Sequence, residues 1–442
     1  MTLTRPLVKS TVVAALGGLL FGFDTVVISG TIEALTKAYQ LSPQSVGFTV
    51  SIAVLGTVFG AMLAGIPGDR YGRRDSLRIL AVFYLISALG CAFAWDWNSL
   101  VLFRFIGGLG IGGSSVLGPM YIAEIAPAQW RGRLVGFFQF NIVAGILIAY
   151  LSNYLIGLQG FGPTEWRWEL GVAALPALLF LIMLFTIPRS PRWLVKKGRT
   201  EEGRQVLAEI GEQNVEAELT DIVKAVDLEH GRAQEPLFSA KFKLPLFLAI
   251  SIAMFNQLSG INAILYYLNT IFAGAGTSKS AASLEAVAIG ATNLIFTVLA
   301  MSIIDYVGRK TLLLIGSVGT AACLAAVAAI FASGTHTGIL VWLLMGFIAF
   351  FAFSQGAVIW VYLSEVFPTS VRARGQSLGS STHWVMNWLI SQIFPIITAW
   401  SKPAPFILFS SMMVLQFFVV LFIYPETKGV TLEDMQKKLA RA

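Results

Sequence analysis

The chain has 442 residues, of which 56% are hydrophobic and only 12% are charged, and its mean hydropathy is +0.74. Because a soluble globular protein carries about 25% charged residues, these values exclude a water-facing surface over most of the molecule. The net charge of +7 would indicate nucleic-acid binding in a soluble domain, but the positive-inside rule of membrane proteins explains it better. Two cysteines and three scattered histidines predict neither a disulfide framework nor a metal site, and we expect no cofactor.

Twelve apolar stretches have about the 20 residues that a membrane-spanning helix requires. The first six lie near residues 10–31, 45–67, 77–95, 98–121, 133–157 and 168–188. The second six lie near residues 244–272, 284–304, 311–333, 338–364, 376–399 and 403–424. We therefore predict an all-α membrane protein with twelve transmembrane helices in two six-helix bundles.

One long polar stretch, residues 189–243, separates the two sets of spans. Apolar residues such as Leu207, Ile210 and Leu219 recur in it at loosely helical spacing, which predicts short amphipathic helices at the membrane surface. The predicted domains are the N-terminal bundle, this linker, the C-terminal bundle and a tail, at residues 1–188, 189–243, 244–424 and 425–442.

Lysine and arginine are concentrated in alternate loops, in the linker and at both ends of the chain. The positive-inside rule places these segments in the cytoplasm, so both termini are predicted to be cytoplasmic. The expected location is a plasma membrane of the bacterial inner-membrane type, which the chain crosses many times.

Three polar motifs occur in the first half and return in the same order in the second. The equivalent positions are Asp69 and Asp305, Glu124 and Glu365, and Pro188 and Pro425. This order indicates a duplicated six-helix unit. Such duplication is typical of transporters whose substrate site lies between the halves, near the middle of the bilayer.

The repeated Asp and Gly-Arg loops carry arginines that can pair with the repeated glutamates. Such pairs would latch the two halves on the cytoplasmic side and would break when that side opens. The alternative is that the loops are simple positively charged anchors. The predicted gate residues are Asp69, Arg73, Arg74, Glu124, Arg131, Asp305, Arg309, Glu365 and Arg372.

The fourth span contains five closely spaced glycines, Gly107, Gly108, Gly110, Gly112 and Gly113. A phosphate-binding glycine loop needs a preceding strand and a helix start, and neither is predicted here. Close packing of helices through small residues is the better interpretation.

Asp24 lies inside the first apolar span, where a carboxylate is costly and is functional by default, with a nearby partner. The available cation is Arg104 in the fourth span. A carboxylate held between a low dielectric and a cation can load a proton on one side of the membrane and release it on the other. The alternative is a permanent structural ion pair.

Amide and indole side chains in the spans form a second set of candidates. Amides both donate and accept, which suits sugar hydroxyls, and an indole can cover the apolar face of a sugar ring. Amides can also simply hold helices together in lipid. The amide and indole residues of this kind in the spans are Gln139, Gln257, Asn262, Asn293, Trp360, Trp384 and Asn387.

Several motifs together resemble the sugar porter family of the major facilitator superfamily. They are the two Gly-Arg loops, residues 119–124, Trp193, Gln257 with residues 260–262, and residues 425–429. The resemblance implies two six-helix bundles with a central sugar site. It also implies the substrate-binding residues, which we predict to be Phe21, Gln139, Asn256, Gln257, Asn262, Asn293, Trp360, His383, Trp384 and Asn387. In the proton-coupled branch of the family an aspartate stands at the position of Asp24, which implies coupled transport.

The chain departs from the family pattern at four places. Asn256 replaces a second glutamine, His383 replaces a glutamine before Trp384, no proline follows Gly356, and Arg189 replaces an acidic residue. The first two changes leave the particular sugar open, and His383 is either a hydroxyl partner or a second protonatable group. The missing proline predicts a less bent tenth span, and Arg189 predicts a weaker cytoplasmic pairing.

The sequence therefore predicts a proton-coupled monosaccharide symporter that works by alternating access as a monomer, without nucleic-acid partners. D-xylose, D-glucose and D-galactose are the leading substrates. An uncoupled facilitator is the nearest alternative, and a transporter-like sugar receptor is a remote one. A membrane enzyme is not expected, because the histidines are dispersed.

Overall fold

The computed structural model describes residues 4–212, 214–231, 236–368 and 371–428, and within these ranges every regular element is helical. The helices that precede the linker are α1 (Arg5–Val26), α2 (Ile28–Tyr39), α3 (Pro43–Leu63), α4 (Gly65–Tyr71), α5 (Arg73–Ala92), α6 (Trp97–Ile125), α7 (Ala128–Gly157), α8 (Glu165–Gly171) and α9 (Ala174–Met183). The linker contains α10 (Pro191–Lys196), α11 (Thr200–Glu209) and α12 (Val215–Gly231). The helices that follow are α13 (Lys243–Leu258), α14 (Ile261–Tyr266), α15 (Leu268–Gly274), α16 (Lys279–Val307), α17 (Arg309–Ser333), α18 (Leu340–Phe351), α19 (Ala357–Glu365), α20 (Arg372–Trp400) and α21 (Ala404–Phe422).

Eleven helical segments in the described residues are long and apolar enough to cross a membrane. The twelfth predicted span, residues 376–399, lies within α20, which has 29 residues and is therefore long enough. Its sequence is more polar than that of the other spans because it carries predicted substrate ligands such as His383 and Asn387. The prediction of an all-α, multi-span membrane fold is confirmed.

The described chain divides into two compact units. The first unit consists of the described residues of 1–27, 52–152 and 164–233, and the second of those of 28–51, 153–163 and 234–442. The linker helices belong to the first unit, where Leu207, Ile210 and Leu219 are buried in the same apolar core as Leu117 and Phe180. Apolar residues of the linker thus lie in the core of the first unit.

Helices α3 and α6 approach each other closely through glycine. A Cβ atom built on Gly108 or Gly112 would overlap the backbone carbonyl oxygen of Ala53 or Thr57. Only a residue without a side chain allows this separation, which is the packing predicted for the glycines of the fourth span.

We expect Gly112→Leu to prevent correct assembly of the first unit, because no flexible side chain can move aside for the new atoms. Gly132→Leu is the matched control, since a Cβ on Gly132 meets no atom within 4 Å. The yield of monodisperse protein in detergent measures the effect. Equal yields of the two variants would contradict the close packing of α3 and α6.

The repeated loops adopt the same backbone conformation in both halves. Gly72 and Gly308 have φ angles of 89° and 101°, which strongly favour glycine. Each glycine directly precedes an arginine that begins a long helix, Arg73 in α5 and Arg309 in α17. The duplication predicted from the sequence therefore extends to the local geometry.

The predicted tenth span is interrupted between α18 and α19. The backbone forms a π-helical turn over Ala352–Gly356, at the place where the family's proline is missing. Such turns are commonly found at functional sites. The span is thus locally distorted without proline, although its absence predicted a straighter helix.

Candidate functional site

The predicted proton-coupling residues both belong to the first unit. Asp24 lies near the end of α1, and Arg104 lies in α6 with only 3% of its surface exposed. Helix α6 presents Gly107 to the carboxylate, and a Cβ built there would lie 3.0 Å from Oδ2 of Asp24 and against the hydroxyl of Ser87. Arg104 is the cation that interacts electrostatically with Asp24. The helices therefore place an acid and a base together within the spans.

A connected group of amide side chains lies in the second unit. Nε2 of Gln257 donates to Oδ1 of Asn256 at 3.1 Å, and Oε1 of Gln257 accepts from Nδ2 of Asn262 at 3.0 Å. The same Nε2 lies 3.3 Å and 3.2 Å from Nδ1 and Nε2 of His383. Gln257 is thus held by neighbours on α13, α14 and α20, and its orientation is fixed before any ligand arrives.

Aromatic rings surround His383. The centroids of the Trp360 and Trp384 rings each lie 5.1 Å from the centroid of the imidazole ring. Trp360 is 40% exposed, whereas His383 and Trp384 are buried. Further along α20, Nδ2 of Asn387 donates to the hydroxyl of Tyr266 at 3.1 Å. The second unit therefore combines amides and an accessible indole, the groups that suit a sugar.

The other predicted ligands stand apart from this group. Asn293 is buried on α16 and accepts a hydrogen bond from Oγ1 of Thr297, one turn away on the same helix. Gln139 and Phe21 are half-buried residues of the first unit, on α7 and α1. The structure therefore brings together six of the ten predicted ligands, Asn256, Gln257, Asn262, Trp360, His383 and Trp384.

In each unit a predicted gate arginine pairs with a predicted gate glutamate, and the two arrangements are alike. In the first unit Nε of Arg73 donates to Oε1 of Glu124 at 2.9 Å, and Ser190 donates to Oε2 at 2.5 Å. In the second, Nη2 of Arg309 donates to Oε1 of Glu365 at 2.9 Å, and Thr427 donates to Oε2 at 2.6 Å. The repeated glutamates thus bind arginines of their own half.

The remaining gate residues have more local partners. Asp69 accepts from Nη1 of Arg73 at 3.1 Å, and Arg74 donates to Asp75. Arg131 donates to the carbonyl of Ala126 and Arg372 to that of Phe367. The side chain of Asp305 lies outside the described residues, so its role stays a prediction, as does a latch between the halves.

A charged cavity of about 470 Å³ lies in the first unit, against the linker. Among the residues that line it are Arg73, Glu124 and Arg131 from the spans and Arg192 and Glu218 from the linker. Its walls carry the ion pair rather than the amide group. The cavity is therefore lined in part by predicted gate residues.

Three further residues contact predicted gate residues, although none of them was itself predicted as one: Ser190, Thr427 and Trp193. The indole Nε1 of Trp193 donates to the carbonyl of Asp69 at 3.1 Å. Ser190 and Thr427 occupy equivalent positions in the repeated motifs at Pro188 and Pro425. Their shared hydroxyl at the repeated position was the signal from which they could have been found.

The fold, the buried charges and the amide group are those of a membrane transport protein. The family model described as "Sugar (and other) transporter" matches residues 10–439. The chain belongs to this family, as its motifs predicted.

Relatives of known name cover nearly the whole chain. The probable metabolite transport protein CsbC of Bacillus subtilis is 39% identical over 97% of this chain and 93% of its own length. The D-xylose-proton symporter of Escherichia coli K12 is 35% identical over 96% of this chain and 94% of its own length. The arabinose-proton symporter of B. subtilis is 38% identical over 96% of this chain and 93% of its own length. An inward-open structure of the E. coli xylose transporter XylE, 34% identical, covers 98% of this chain and 99% of its own, with a TM-score of 0.88.

Proposed function

We propose that this protein is a proton-coupled monosaccharide symporter that works by alternating access. The observation that carries the proposal is a membrane-buried carboxylate, Asp24, placed with Arg104 in a fold whose second unit holds an organised amide group. Relatives named as proton symporters of D-xylose and arabinose support both parts of it. Both termini face the cytoplasm of a bacterial-type plasma membrane, and one chain is the working unit.

Asp24 is the proton carrier in this mechanism. The ionised carboxylate is held by the charge of Arg104 within the spans. Protonation removes the negative charge and frees the arginine, so the interaction that favours one conformation is lost. A proton bound from outside therefore permits the change of state, and its release inside resets the transporter.

The amide group binds the sugar. The hydroxyls of a monosaccharide can exchange with the partners of Gln257 without a loss of hydrogen bonds, because an amide offers two donors and an acceptor. The exposed indole of Trp360 is available to cover the ring face. His383 lies between Trp360 and Gln257 and sets the width of this side of the pocket.

We expect Gln257→Ala to raise the KM for the transported sugar about tenfold, which corresponds to a lost contribution of about 1.4 kcal/mol. Gln416→Ala is the matched control, because Gln416 is a buried span amide whose Oε1 has no hydrogen-bond partner in the described residues. Initial rates of uptake over a range of sugar concentrations give the KM. Similar shifts in the two variants would remove Gln257 from the sugar site.

Competition between sugars for uptake identifies the transported substrate. Radiolabelled D-xylose uptake into proteoliposomes should be inhibited by other monosaccharides that fit the pocket, with D-glucose, D-galactose and arabinose as the first competitors. If the protein takes up none of the sugars tested, monosaccharide transport is rejected. If the internal sugar concentration only reaches the external one, and a proton gradient does not change it, the protein is an uncoupled facilitator.

A further inference from the structure

A cluster of three arginines surrounds one aspartate in the first unit. Oδ1 of Asp75 accepts from Nε of Arg74 at 3.1 Å and from Nη1 of Arg78 at 2.7 Å. Oδ2 accepts from Nε and Nη2 of Arg189 at 3.1 Å and 2.9 Å. Arg189, expected from the sequence to weaken a pairing, donates both of these hydrogen bonds to a single carboxylate oxygen. We call these four residues the Asp75 cluster.

The cluster carries unbalanced positive charge. Three guanidinium groups against one carboxylate leave a net charge of +2, and four hydrogen bonds occupy both oxygens of Asp75. Arg74 and Arg78 also donate to the backbone carbonyls of Ile187 and Leu184, which carry only partial charge. The nearby ion pair of Arg199 and Glu202 adds no net charge. Guanidinium donors therefore remain for a further anion.

The second half shows that this excess is not a general feature of the repeated loop. Its residues at the positions of Arg74, Arg78 and Arg189 are Lys310, Leu314 and Glu426. Glu426 accepts from the backbone N–H groups of Arg309 and Lys310 at 2.9 Å and 3.0 Å. An acid therefore stands in the second half where Arg189 stands in the first, and there the charges balance.

The Asp75 cluster lies where a membrane span ends. The side chains of Leu179, Ile182 and Phe185 are 50%, 56% and 64% exposed, and they form an apolar strip that leads along the end of α9 to the cluster. The guanidinium of Arg78 lies 4.1 Å from the centroid of the Phe185 ring. The side chains of Arg74, Arg78 and Arg189 are 17%, 20% and 32% exposed, so they can be reached from this strip.

We propose that the Asp75 cluster binds the phosphate group of an anionic phospholipid. The apolar strip accommodates the acyl chains, and the guanidinium groups complete their hydrogen bonds on the phosphate oxygens. The apolar strip favours a lipid over free phosphate, which would use only the polar half of the site. The lipid would hold the end of α9 against the start of α5.

Native mass spectrometry of the full chain in detergent tests the proposal, with phosphatidylglycerol or phosphatidylcholine added. The wild type should retain one tightly bound phosphatidylglycerol. Arg189→Glu, which reproduces the charge balance of the second half, should weaken that binding on the order of tenfold, and Arg189→Gln should weaken it less. Arg204→Glu is the matched control, because Arg204 is an exposed linker arginine that pairs with Glu201 and Glu216.

Three results would overturn the proposal. The first is phosphatidylglycerol binding that is equally tight in the wild type, in Arg189→Gln and in Arg189→Glu, which would show that the cluster is not the site. The second is equal retention of phosphatidylcholine, whose choline cation balances its phosphate, which would mean that the cluster does not select an anionic lipid. The third is displacement of the lipid by millimolar inorganic phosphate, which would make free phosphate the ligand.

Discussion

Asp24→Asn is expected to abolish accumulation of sugar against its gradient while it leaves sugar exchange intact. An asparagine fills the same space beside Gly107 but cannot bind and release a proton. The ratio of inside to outside sugar should therefore fall to about 1 at every proton gradient, whereas the wild type concentrates sugar in proportion to the gradient. Counterflow of labelled sugar should persist, because it needs the pocket and the change of conformation but no net proton movement.

Glu285→Gln separates this effect from the general loss of a carboxylate in a span. Glu285 lies on α16, and its Oε2 is a buried atom without a hydrogen-bond partner in the described residues. This variant should keep gradient-driven accumulation. Asp24 would be reduced to a structural residue if its asparagine variant still accumulated sugar, or if only Glu285→Gln lost accumulation.

Arg73→Met is expected to destabilise the first unit strongly. The side chains of Arg73 and Glu124 are only 10% and 8% exposed, so removal of the arginine leaves a buried carboxylate that keeps, among its described partners, only the hydrogen bond from Ser190 and the electrostatic interaction with Arg192. Breaking a buried ion pair from one side costs about 3–5 kcal/mol. The Tm of the detergent-solubilised protein should fall on the order of 10 °C.

The double variant Arg73→Met with Glu124→Gln provides the internal test. Neutralising both partners removes the unpaired charge, so most of the lost stability should return. Arg204→Met, which removes an exposed arginine, should change the Tm little. A double variant no more stable than Arg73→Met would mean that the arginine stabilises the unit through its bond to the carbonyl of Gly68.

The sequence predicts the spans well because they depend on composition over about 20 residues, which the bilayer itself dictates. The repeated motifs are as informative, since Gly72 and Gly308 impose the same backbone conformation wherever they occur. The polar α20 was also predicted as a span, although its composition falls short of that of the other eleven.

The partners within the site were harder to predict because they depend on the packing of distant segments. Arg73 could have paired with either repeated glutamate, and only the folded unit shows that it binds Glu124. The sequence at Arg189 predicted a weaker cytoplasmic pairing, whereas the fold brings this arginine to Asp75 on helix α5. The sequence can nominate the residues of the amide group, but it cannot show that Gln257 joins Asn256, Asn262 and His383.

The most direct test of the account is the uptake of radiolabelled D-xylose by the wild-type protein in proteoliposomes, with and without an inward proton gradient. We predict that the gradient drives the internal sugar concentration above the external one, and that a protonophore collapses the difference at once. An internal concentration that only equals the external one under both conditions would contradict proton-coupled symport.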